Sequence, residues 1–518
     1  MRKLISTFRV LPFSKLVSNV TPPWRPHLKV WHRLFSPLLA MVRMTEGRLT
    51  RGNVKAMAYF AKELSKLYSK SGARGVCLYL KTCSVLLMQS VPGSGIRVDS
   101  RKISKVAVSV TRSGIPRVIP KLHRERIRSG DGRSYRLWLT LFGLYRVIDF
   151  RGKFTVQTIV RPGKTIPAPV WGSMLKSISI FVRNLQEVTG ESLFGRRPEE
   201  LLKPKLFAIS TSGANSTYGM TSFAARRGAA WMWVNDRWGS SLWHYLWCLD
   251  ETDGTKSLWG LIHDEAKYES NLVTSHGRLS TKAEPAGKVR VFAMVDYWTQ
   301  VALAPLHDYL MNILREIPQD GTFDQHAPVK DLLEKMSKEG KSNQTFYSYD
   351  LSAATDRLSV LVQERLLRVM FTEGLAWSWR RLLVERDYRL PKGERYNGKR
   401  AVRYSVGQPM GAYSSWAMLA LTHHFLVQWS ARLSGHVGWF EDYAVLGDDL
   451  VIANDGVASK YRCICRWIGL DIGLAKSLVA PNGTLEFAKK FYYKGELWSP
   501  TPWKLLGASL GSLSGVLG

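Results

Sequence analysis

Two stretches of the sequence are especially informative. The first is Phe346-Tyr347-Ser348-Tyr349-Asp350, and the second is Ala444-Val445-Leu446-Gly447-Asp448-Asp449-Leu450-Val451-Ile452-Ala453. Both set carboxylates at the point where an apolar run ends or turns. Burying an unpaired charge costs a large free energy, so these acids are expected to face a cationic partner. This pattern favours a pair of divalent metal ions that assists phosphoryl transfer, since hard cations prefer carboxylate oxygens.

The residues around each acid predict the local structure. After Asp350, apolar side chains recur at helical spacing, so a short loop and an amphipathic helix should follow the strand. The apolar positions of this helix are Leu358, Leu361, Val362, Leu366, Val369 and Met370. In the second stretch, Ala444–Leu446 and Leu450–Ala453 are predicted to be strands joined by Gly447-Asp448-Asp449, a hairpin with glycine at its turn.

The composition indicates a globular protein with an anionic partner. The chain has 518 residues, 45% of them hydrophobic, which suffices for several sub-domains around a sizeable core. Its formal net charge is +33, from 74 Lys and Arg against 41 Asp and Glu. Such a charge favours nucleic acid as the partner, with an anionic membrane surface second. A highly soluble basic surface is the remaining alternative.

Two N-terminal segments are especially basic. The first 45 residues hold eight Lys or Arg and no acid, which is typical of a mitochondrial transit peptide or of an arm that binds nucleic acid. Residues 101–136 hold eleven Lys or Arg and two acids, and the prolines within 114–120 predict an extended segment. Such a segment would lay basic side chains along a phosphate backbone, the alternative being a solvated basic face. These side chains are Arg117, Lys121, Arg124, Arg126 and Arg128.

Three other patterns favour packing over chemistry. The tryptophans within residues 231–247 are expected in the core rather than under stacked bases. The pair His423-His424 lies in an apolar helix with no third ligand in sight, so it is expected to pack and not to bind metal. Five cysteines without zinc spacing indicate a reducing compartment and no structural metal. The sequence shows no run near the roughly 18 apolar residues that span a bilayer.

Six segments follow one another in a fixed order. They are Glu284-Pro285-Ala286-Gly287-Lys288-Val289-Arg290-Val291-Phe292-Ala293, Asp350-Leu351-Ser352-Ala353-Ala354-Thr355-Asp356-Arg357, Gly407-Gln408-Pro409-Met410-Gly411-Ala412-Tyr413-Ser414-Ser415-Trp416, Leu446-Gly447-Asp448-Asp449, Lys476-Ser477 and Glu486-Phe487-Ala488-Lys489-Lys490. This order resembles the motifs lettered F, A, B, C, D and E of viral RNA-dependent RNA polymerases. The residues of these motifs are most similar to those of the mitoviruses, in the narnavirus-like group, and the match is specific from about Thr281 to Lys490.

The resemblance implies a set of catalytic residues. Asp350 and Asp448 would ligate two Mg²⁺ ions, for which Mn²⁺ could substitute, and Asp449 would assist as a third metal-site acid. Lys476 would protonate the leaving pyrophosphate.

The resemblance also implies binding residues. Lys288 and Arg290, on one face of a strand, would clamp the triphosphate of the incoming nucleotide. Asp356 would accept a hydrogen bond from the ribose 2′-hydroxyl, and Ser414 and Ser415 would help to hold the sugar. The residues that would approach or grip RNA are Gly407, Gly411, Lys489 and Lys490, beside the basic Arg117, Arg124 and Arg128.

Two departures from the family pattern matter. Related polymerases often carry an Asn in the helix after the serines, whereas no Asn occurs between residues 407 and 438. Sugar selection would therefore lean on the acid and the two serines just named. The chain also ends 28 residues after Lys490. A short or reduced thumb is expected, with residues 1–200 or a partner protein completing the RNA channel.

These observations predict an α+β fold of the right-hand polymerase class, with fingers, a palm made of a small antiparallel sheet backed by helices, and a short or reduced thumb. The expected domains are a basic extension with part of the fingers (1–200), fingers with the triphosphate-binding motif (201–344), a palm (345–495, with a finger insertion at 375–405) and a short thumb or tail (496–518).

The predicted function is template-directed RNA synthesis from ribonucleoside triphosphates. It would replicate a viral RNA genome by two-metal nucleotidyl transfer, in mitochondria by resemblance and otherwise in the cytoplasm. A reverse transcriptase is one alternative, disfavoured because it would carry an aromatic steric gate near Asp356 and Tyr-x-Asp-Asp in place of Leu446-Gly447-Asp448-Asp449. A non-catalytic RNA-binding remnant is the other, and the intact aspartates argue against such decay.

Overall fold

The computed structural model describes residues 38–504, except for residues 44, 48, 92–93, 95–98, 149, 218, 236–238, 250–257, 269–274 and 474–475. Residues 1–37 of the acid-free N-terminal segment and residues 505–518 of the predicted tail lie outside this part. Within it, helices surround three small sheets, which agrees with the α+β class predicted from the sequence.

The helices of the described part are α1 (Arg51–Gln89), α2 (Ser100–Ser104), α3 (Lys121–Arg128), α4 (Gly132–Phe142), α5 (Gln157–Val160), α6 (Ala168–Thr189), α7 (Pro198–Leu201), α8 (Arg226–Asn235), α9 (Gly239–Trp247), α10 (Leu258–Ala266), α11 (Tyr297–Arg315), α12 (Ala327–Lys338), α13 (Ala354–Arg357), α14 (Val360–Met370), α15 (Glu373–Val384), α16 (Ser415–Leu433) and α17 (Asp455–Ile468). A 3₁₀ helix follows α4 at Gly143–Val147. The strands are β1 (Gly277–Glu284), β2 (Lys288–Val295), β3 (Phe346–Asp350), β4 (Tyr388–Arg389), β5 (Ala401–Val402), β6 (Tyr443–Leu446), β7 (Asp449–Ile452), β8 (Leu478–Ala480), β9 (Leu485–Phe487), β10 (Lys490–Tyr493) and β11 (Glu496–Leu497).

A four-stranded antiparallel sheet, in the order β6-β7-β3-β8, contains both of the especially informative stretches of the sequence. Its two faces are buried against different partners because successive side chains of a strand point in opposite directions. Val445 and Leu450 pack in the core that includes α16 and α17. Ala444 and Val451 pack with Leu332 of α12. The strand before Asp350, the helix α14 and the hairpin are thus confirmed, with Asp449 inside β7 rather than in the turn.

The second sheet joins distant parts of the chain in the order β2-β1-β4-β5. β1 and β2 form an antiparallel ribbon whose register runs from Gly277 opposite Val295 to Glu284 opposite Lys288. β4 pairs with β1 in parallel, and β5 pairs with β4. The segment between α15 and α16 therefore extends the sheet that carries the ribbon.

The helices of residues 38–147 share a core with the C-terminal strands. Trp138 of α4 and Tyr493 of β10 belong to this core, and β10 pairs with both β9 and β11 in the third sheet. Trp503 is buried in the same core, and its indole N–H donates to the carbonyl of Thr140 at 2.5 Å. The described part of the predicted tail therefore packs against the N-terminal helices.

The extended conformation predicted for residues 114–120 is wrong. The segment folds into turns, and an isolated bridge pairs Pro116 with Val110. Ile115 and Ile119 are buried in the N-terminal core. Prolines do exclude a continuous helix here, but burial of the two isoleucines bends the chain back on itself.

The tryptophan cluster divides between core and surface. Trp233 is buried, as the packing interpretation predicts, whereas Trp243 and Trp247 are 37% and 56% exposed. The rings of Trp243 and Trp247 stack with their centroids 5.4 Å apart. The core prediction is wrong for these two, and Trp238 lies outside the described residues.

A buried ion pair fixes the start of α11. Asp296 caps the helix, and its two oxygens accept hydrogen bonds from Thr299 (N–H, 3.0 Å), from the indole of Trp233 (2.9 Å) and from Arg386 (3.2 Å). Arg386 also donates to the carbonyl of His276 at 2.9 Å. The two charged side chains are 1% exposed or less. One carboxylate therefore locks the ribbon, α8 and the segment after α15 together.

Breaking this pair should destabilise the fold strongly. Arg386→Met leaves the Asp296 charge buried without its cation, and we expect the free energy of unfolding to fall by about 3–5 kcal/mol. The matched control is Arg403→Met, because Arg403 pairs with Asp387 at 2.6 Å on the surface. It should cost no more than about 1 kcal/mol. Urea unfolding measures both, and equal losses would contradict the assignment.

Candidate active site

The register of β3 against β7 brings three carboxylates together. Asp350, the last residue of β3, pairs with Asp449, the first residue of β7. Asp448 precedes β7 in the turn, and its carbonyl accepts a hydrogen bond from Leu351 N–H at 3.4 Å. Three of the predicted site residues thus lie at one end of the two central strands of the sheet.

Gly447 allows the hairpin of β6 and β7 to turn at this end of the sheet. Its φ is +57°, which a type II′ turn requires at its first central position. A Cβ atom at Gly447 would lie 2.4 Å from the ring of Trp416, at the start of α16. The turn that carries Asp448 is therefore packed directly on the segment that precedes and begins α16.

The two histidines of α16 support β6 from behind. His423 Nδ1 donates to the Gly447 carbonyl at 2.7 Å, because that oxygen can only accept, and Nε2 accepts from the Tyr461 hydroxyl at 2.7 Å. His424 bonds to the Tyr443 hydroxyl at 2.8 Å and to Asp320 Oδ2 at 3.0 Å. Both imidazoles are fully buried. This is the packing role that the sequence predicted.

The acids repel one another. Burial, followed by the charge of Asp350, raises the pKa of Asp448. Burial, followed by the charges of Asp448 and Asp350, raises the pKa of Asp449 to about 7. Lys476 forms an ion pair with Asp350 and is about half exposed. The cluster is therefore only partly neutralised by the protein and would gain from additional cations.

Sequence reasoning did not assign Glu486 to this site. It lies on β9, and its N–H donates to Ser348 Oγ of β3 at 2.9 Å. Burial, followed by the charges of Asp449 and Asp350, raises the pKa of Glu486 to about 8. The only signal in the sequence was its place in the last of the six segments.

Lys81 of α1 is a second residue that sequence reasoning missed. Its pKa is lowered by burial and then by the charge of Lys476, and it also interacts with the charges of Lys288 and Asp350. Gln89, further along α1, donates to the carbonyl of Ser477 at 2.9 Å. The N-terminal helix therefore brings a cation towards the acids. No local pattern in residues 51–89 indicated this long-range contact.

The ribbon presents the two predicted triphosphate ligands together. Lys288 and Arg290 both reach Glu284, at 3.1 and 2.8 Å respectively. Burial favours the neutral acid, but the hydrogen bond and charge of Lys288 and those of Arg290 outweigh it and lower the pKa of Glu284. Lys288 also interacts with the charge of Asp448. A single carboxylate therefore aligns both cations near the acids.

Asp356 lies in α13, close after β3, and is partly buried. Burial raises the pKa of its carboxyl, whereas a hydrogen bond from Thr158 opposes that shift. Ser414 and Ser415 are almost fully buried. Ser414 has φ +66°, and its hydroxyl accepts from the indole of Trp379 at 2.9 Å. Neither serine is open to a nucleotide in this conformation, so their predicted sugar contact would require the segment to move.

The two predicted RNA-approach glycines lie against protein backbone. A Cβ at Gly407 would be 2.1 Å from the carbonyl of Thr355, and one at Gly411, with φ +110°, would be 2.4 Å from the carbonyl of Ala293. Any larger residue would push the segment off α13 and β2. These contacts account for both glycines without RNA.

The remaining predicted RNA residues lie in two places. Lys489 is exposed in the β9–β10 turn, where its charge offsets part of the rise in the pKa of Asp449, and Lys490 contacts His326. Arg117 and Arg124 line a groove of about 450 Å³ between α1 and α3. Arg128 is exposed at the end of α3. The other polar or aromatic residues of the groove include Lys55, Tyr59, Lys121 and His123.

Much of the chain matches a known protein family. The family model described as mitovirus RNA-dependent RNA polymerase matches residues 211–517. This chain belongs to the mitovirus RNA-dependent RNA polymerase family. The match contains the ribbon, the three aspartates and the segment from Gly407 to Trp416, so the resemblance predicted from the six segments is confirmed.

Individual relatives agree with this mitovirus polymerase assignment. The chain is 33% identical, over 82% of its length, to the RNA-directed RNA polymerase of Cryphonectria parasitica mitovirus 1. It spans about half of that relative, covering 51% of its length. Two uncharacterised mitochondrial proteins of Arabidopsis thaliana are 40% and 33% identical over 36% and 32% of this chain, with 71% and 78% of their own lengths covered.

A structural comparison gives a more distant likeness. The RNA-dependent RNA polymerase of a human picobirnavirus, as an insertion-loop deletion mutant, aligns with 93% of this chain and 83% of its own at 16% identity and a TM-score of 0.44. Membership of the mitovirus polymerase family rests on the sequence matches.

No group of three or more His, Cys, Asp or Glu side chains in the described ranges is arranged to hold a metal ion by itself. No helix among these residues is both long and apolar enough to cross a membrane.

The buried His423 should make the stability of the fold sensitive to acid. Burial lowers the pKa of His423 from 6.5 to about 4, so the stabilisation is present above pH 6.5 and is lost as pH falls towards 4. His423→Asn keeps a hydrogen-bond donor near the position of Nδ1. Between pH 7 and pH 5, we expect the free energy of unfolding of this variant to fall by roughly 2 kcal/mol less than that of the unmodified chain. Urea unfolding at both pH values measures this, with His263→Asn on the surface as the control. An unchanged pH dependence in His423→Asn would refute the prediction.

Proposed function

We propose that the chain synthesises RNA on an RNA template from ribonucleoside triphosphates, replicating a viral genome. Two Mg²⁺ ions would be held by Asp350 and Asp448, with Asp449 assisting, and Mn²⁺ could replace them. The observation that carries the proposal is the convergence of these three carboxyls on paired strands of a mitovirus-family polymerase chain. The raised pKa values of Asp448 and Asp449 fit acids that lack sufficient positive charge.

The donor set fits Mg²⁺ even though it forms no complete cage. Mg²⁺ usually keeps several waters and binds through one or two carboxylates together with the substrate's phosphates. Two neighbouring aspartates are therefore sufficient from the protein. When bound, the ions would activate the attacking 3′-hydroxyl and stabilise the charge of the leaving pyrophosphate.

The chain's own side chains supply the other steps. Lys288 and Arg290, aligned by Glu284, would bind the triphosphate. Asp356 would accept a hydrogen bond from the ribose 2′-hydroxyl. Lys476, beside Asp350, would donate a proton to the pyrophosphate oxygen as the bond from that oxygen to the α-phosphorus breaks.

In this proposal, residues 345–495 form the palm, with the four-stranded sheet at its centre. Residues 201–344 and the insertion at 375–405 form fingers, and residues 1–200 contribute part of the fingers and one wall of the RNA channel. The shared core of α1, α4 and β10 supports this wall. Residues 496–518 would act as a short thumb or tail, with or without a partner protein.

We also propose that the chain acts in mitochondria. Two plant relatives are named as mitochondrial proteins, and the first 45 residues are basic and free of acids. The net charge of +33 supports binding to RNA wherever the chain resides.

The proposed chemistry predicts strict dependence on Asp448. In primer extension on an RNA template with labelled ribonucleotides and Mg²⁺, Asp448→Asn should lower incorporation by about 10²-fold or more, because it weakens metal binding at the reacting phosphate. Asp331→Asn, at an exposed acid of α12, is the charge-matched control and should retain activity. RNA binding without incorporation by the unmodified chain would favour the non-catalytic remnant. A preference for deoxyribonucleotides would favour a reverse transcriptase.

The basic groove predicts a salt-dependent contact with RNA. Arg124→Ala combined with Arg128→Ala should weaken RNA binding and reduce the slope of log affinity against log salt by about 1–2, since each phosphate contact releases counterions. Lys330→Ala with Lys338→Ala, two exposed lysines of α12, controls for net charge. Filter binding at several salt concentrations measures the slope. Equal slopes in the two double variants would return α3 to a solvated basic face.

A further inference from the structure

One hydroxyl from the N-terminal half of the chain touches Asp356. Thr158 donates a hydrogen bond to Asp356 Oδ2 at 2.6 Å, across 198 positions of sequence. The other oxygen, Oδ1, is buried and has no hydrogen-bond partner. Thr158 is exposed and Asp356 is half-buried, so the bonded oxygen lies where a ligand can approach.

The backbone that carries Thr158 is tied to the same region twice. Arg357, the neighbour of Asp356, donates to the carbonyl of Thr158 at 3.4 Å, to that of Pro162 at 3.1 Å and to that of Arg161. Ser405, shortly before Gly407, holds the segment from the other side. Its N–H and hydroxyl both donate to the Ile159 carbonyl, at 3.0 and 2.8 Å. Because this backbone is fixed, the threonine hydroxyl is held in place before any ligand binds.

The two serines that were predicted to help hold the sugar are less well placed than Thr158. The hydroxyl of Ser414 accepts from Trp379, and Ser415 is 3% exposed. The sequence offers no Asn between residues 407 and 438. Among the hydrogen bonds of the described residues, the one from Thr158 is the side-chain bond that orients the carboxylate.

We propose that Thr158 is a positioning residue for sugar selection, whose hydroxyl holds the Asp356 carboxylate in the orientation that accepts the 2′-hydroxyl of an incoming ribonucleotide. The inference rests on the proposed function, in which Asp356 binds that hydroxyl. A carboxylate oxygen has two lone pairs, so Oδ2 can accept from Thr158 and from the ribose together. The segment around α5 thereby takes part in choosing the substrate.

The test compares incorporation of ATP and dATP by the full chain, as single-nucleotide primer extension opposite a template uridine. Thr158→Val removes the hydroxyl and keeps the shape, and it should lower the ratio of kcat/KM for ATP over dATP by about tenfold, the worth of one hydrogen bond to a charged group. The change should come from ATP, because dATP has no 2′-hydroxyl to bind. Thr158→Ser should retain the unmodified ratio, and so should Thr155→Val, a control at an exposed threonine of the same segment.

The outcomes separate this inference from the proposed function. If Asp356→Ala lowers the ratio and Thr158→Val does not, the role of Thr158 is overturned while the sugar assignment of Asp356 stands. If Thr158→Ser loses as much as Thr158→Val, the effect is one of packing and the inference also fails. If Asp356→Ala leaves the ratio unchanged, the assignment of Asp356 fails and takes the inference with it. An unchanged thermal unfolding midpoint of Thr158→Val shows that its loss arises in a folded protein.

Discussion

The pairing of Asp350 with Asp449 across β3 and β7 is the constraint on which the rest of the structure depends. It brings two carboxylates, and a third in the adjoining turn, together at a partly buried end of the sheet, where burial and the neighbouring charges raise the pKa values of Asp448 and Asp449. The repulsion between these carboxylates therefore remains as an unfavourable electrostatic free energy in the native state. Such a cluster persists only if the surrounding packing holds it, and binding of cations would release the stored repulsion.

Part of the packing that holds the cluster comes from α16. This helix is apolar on nearly every side, yet it buries two histidines and each of them bonds to β6 or the turn beyond it. A buried imidazole without partners would destabilise the core, but four hydrogen bonds satisfy the two rings. The ring of Trp416, in the first turn of α16, packs against the same turn. Side chains of α16 thus hold the turn that carries Asp448 through its neighbour Gly447.

Sequence patterns predicted the elements whose signal is local. The strand before Asp350, the helix α14 and the hairpin each follow from periodicity or from glycine at a turn, and the ordered segments identified the family. Patterns failed where tertiary contacts decide the outcome. Burial of Ile115 and Ile119 overrides the extended preference of the prolines, and Trp247 remains at the surface although its neighbourhood is aromatic. Contacts such as that of Thr158 with Asp356 leave no periodic trace in either segment.

The N-terminal half of the chain contributes side chains to the surroundings of the site. Lys81 and Thr158 lie outside the region matched by the family model, yet one interacts with Lys476 and the other bonds to Asp356. Hydrogen bonds from Gln89 to Ser477 and from Trp503 to Thr140 tie this half to the C-terminal strands. The three aspartates and Glu486 supply negative charge at the site. One of its cations, Lys81, and the hydroxyl that bonds to Asp356 come from residues that precede the recognisable motifs, because only the folded chain brings α1 and α5 near these acids.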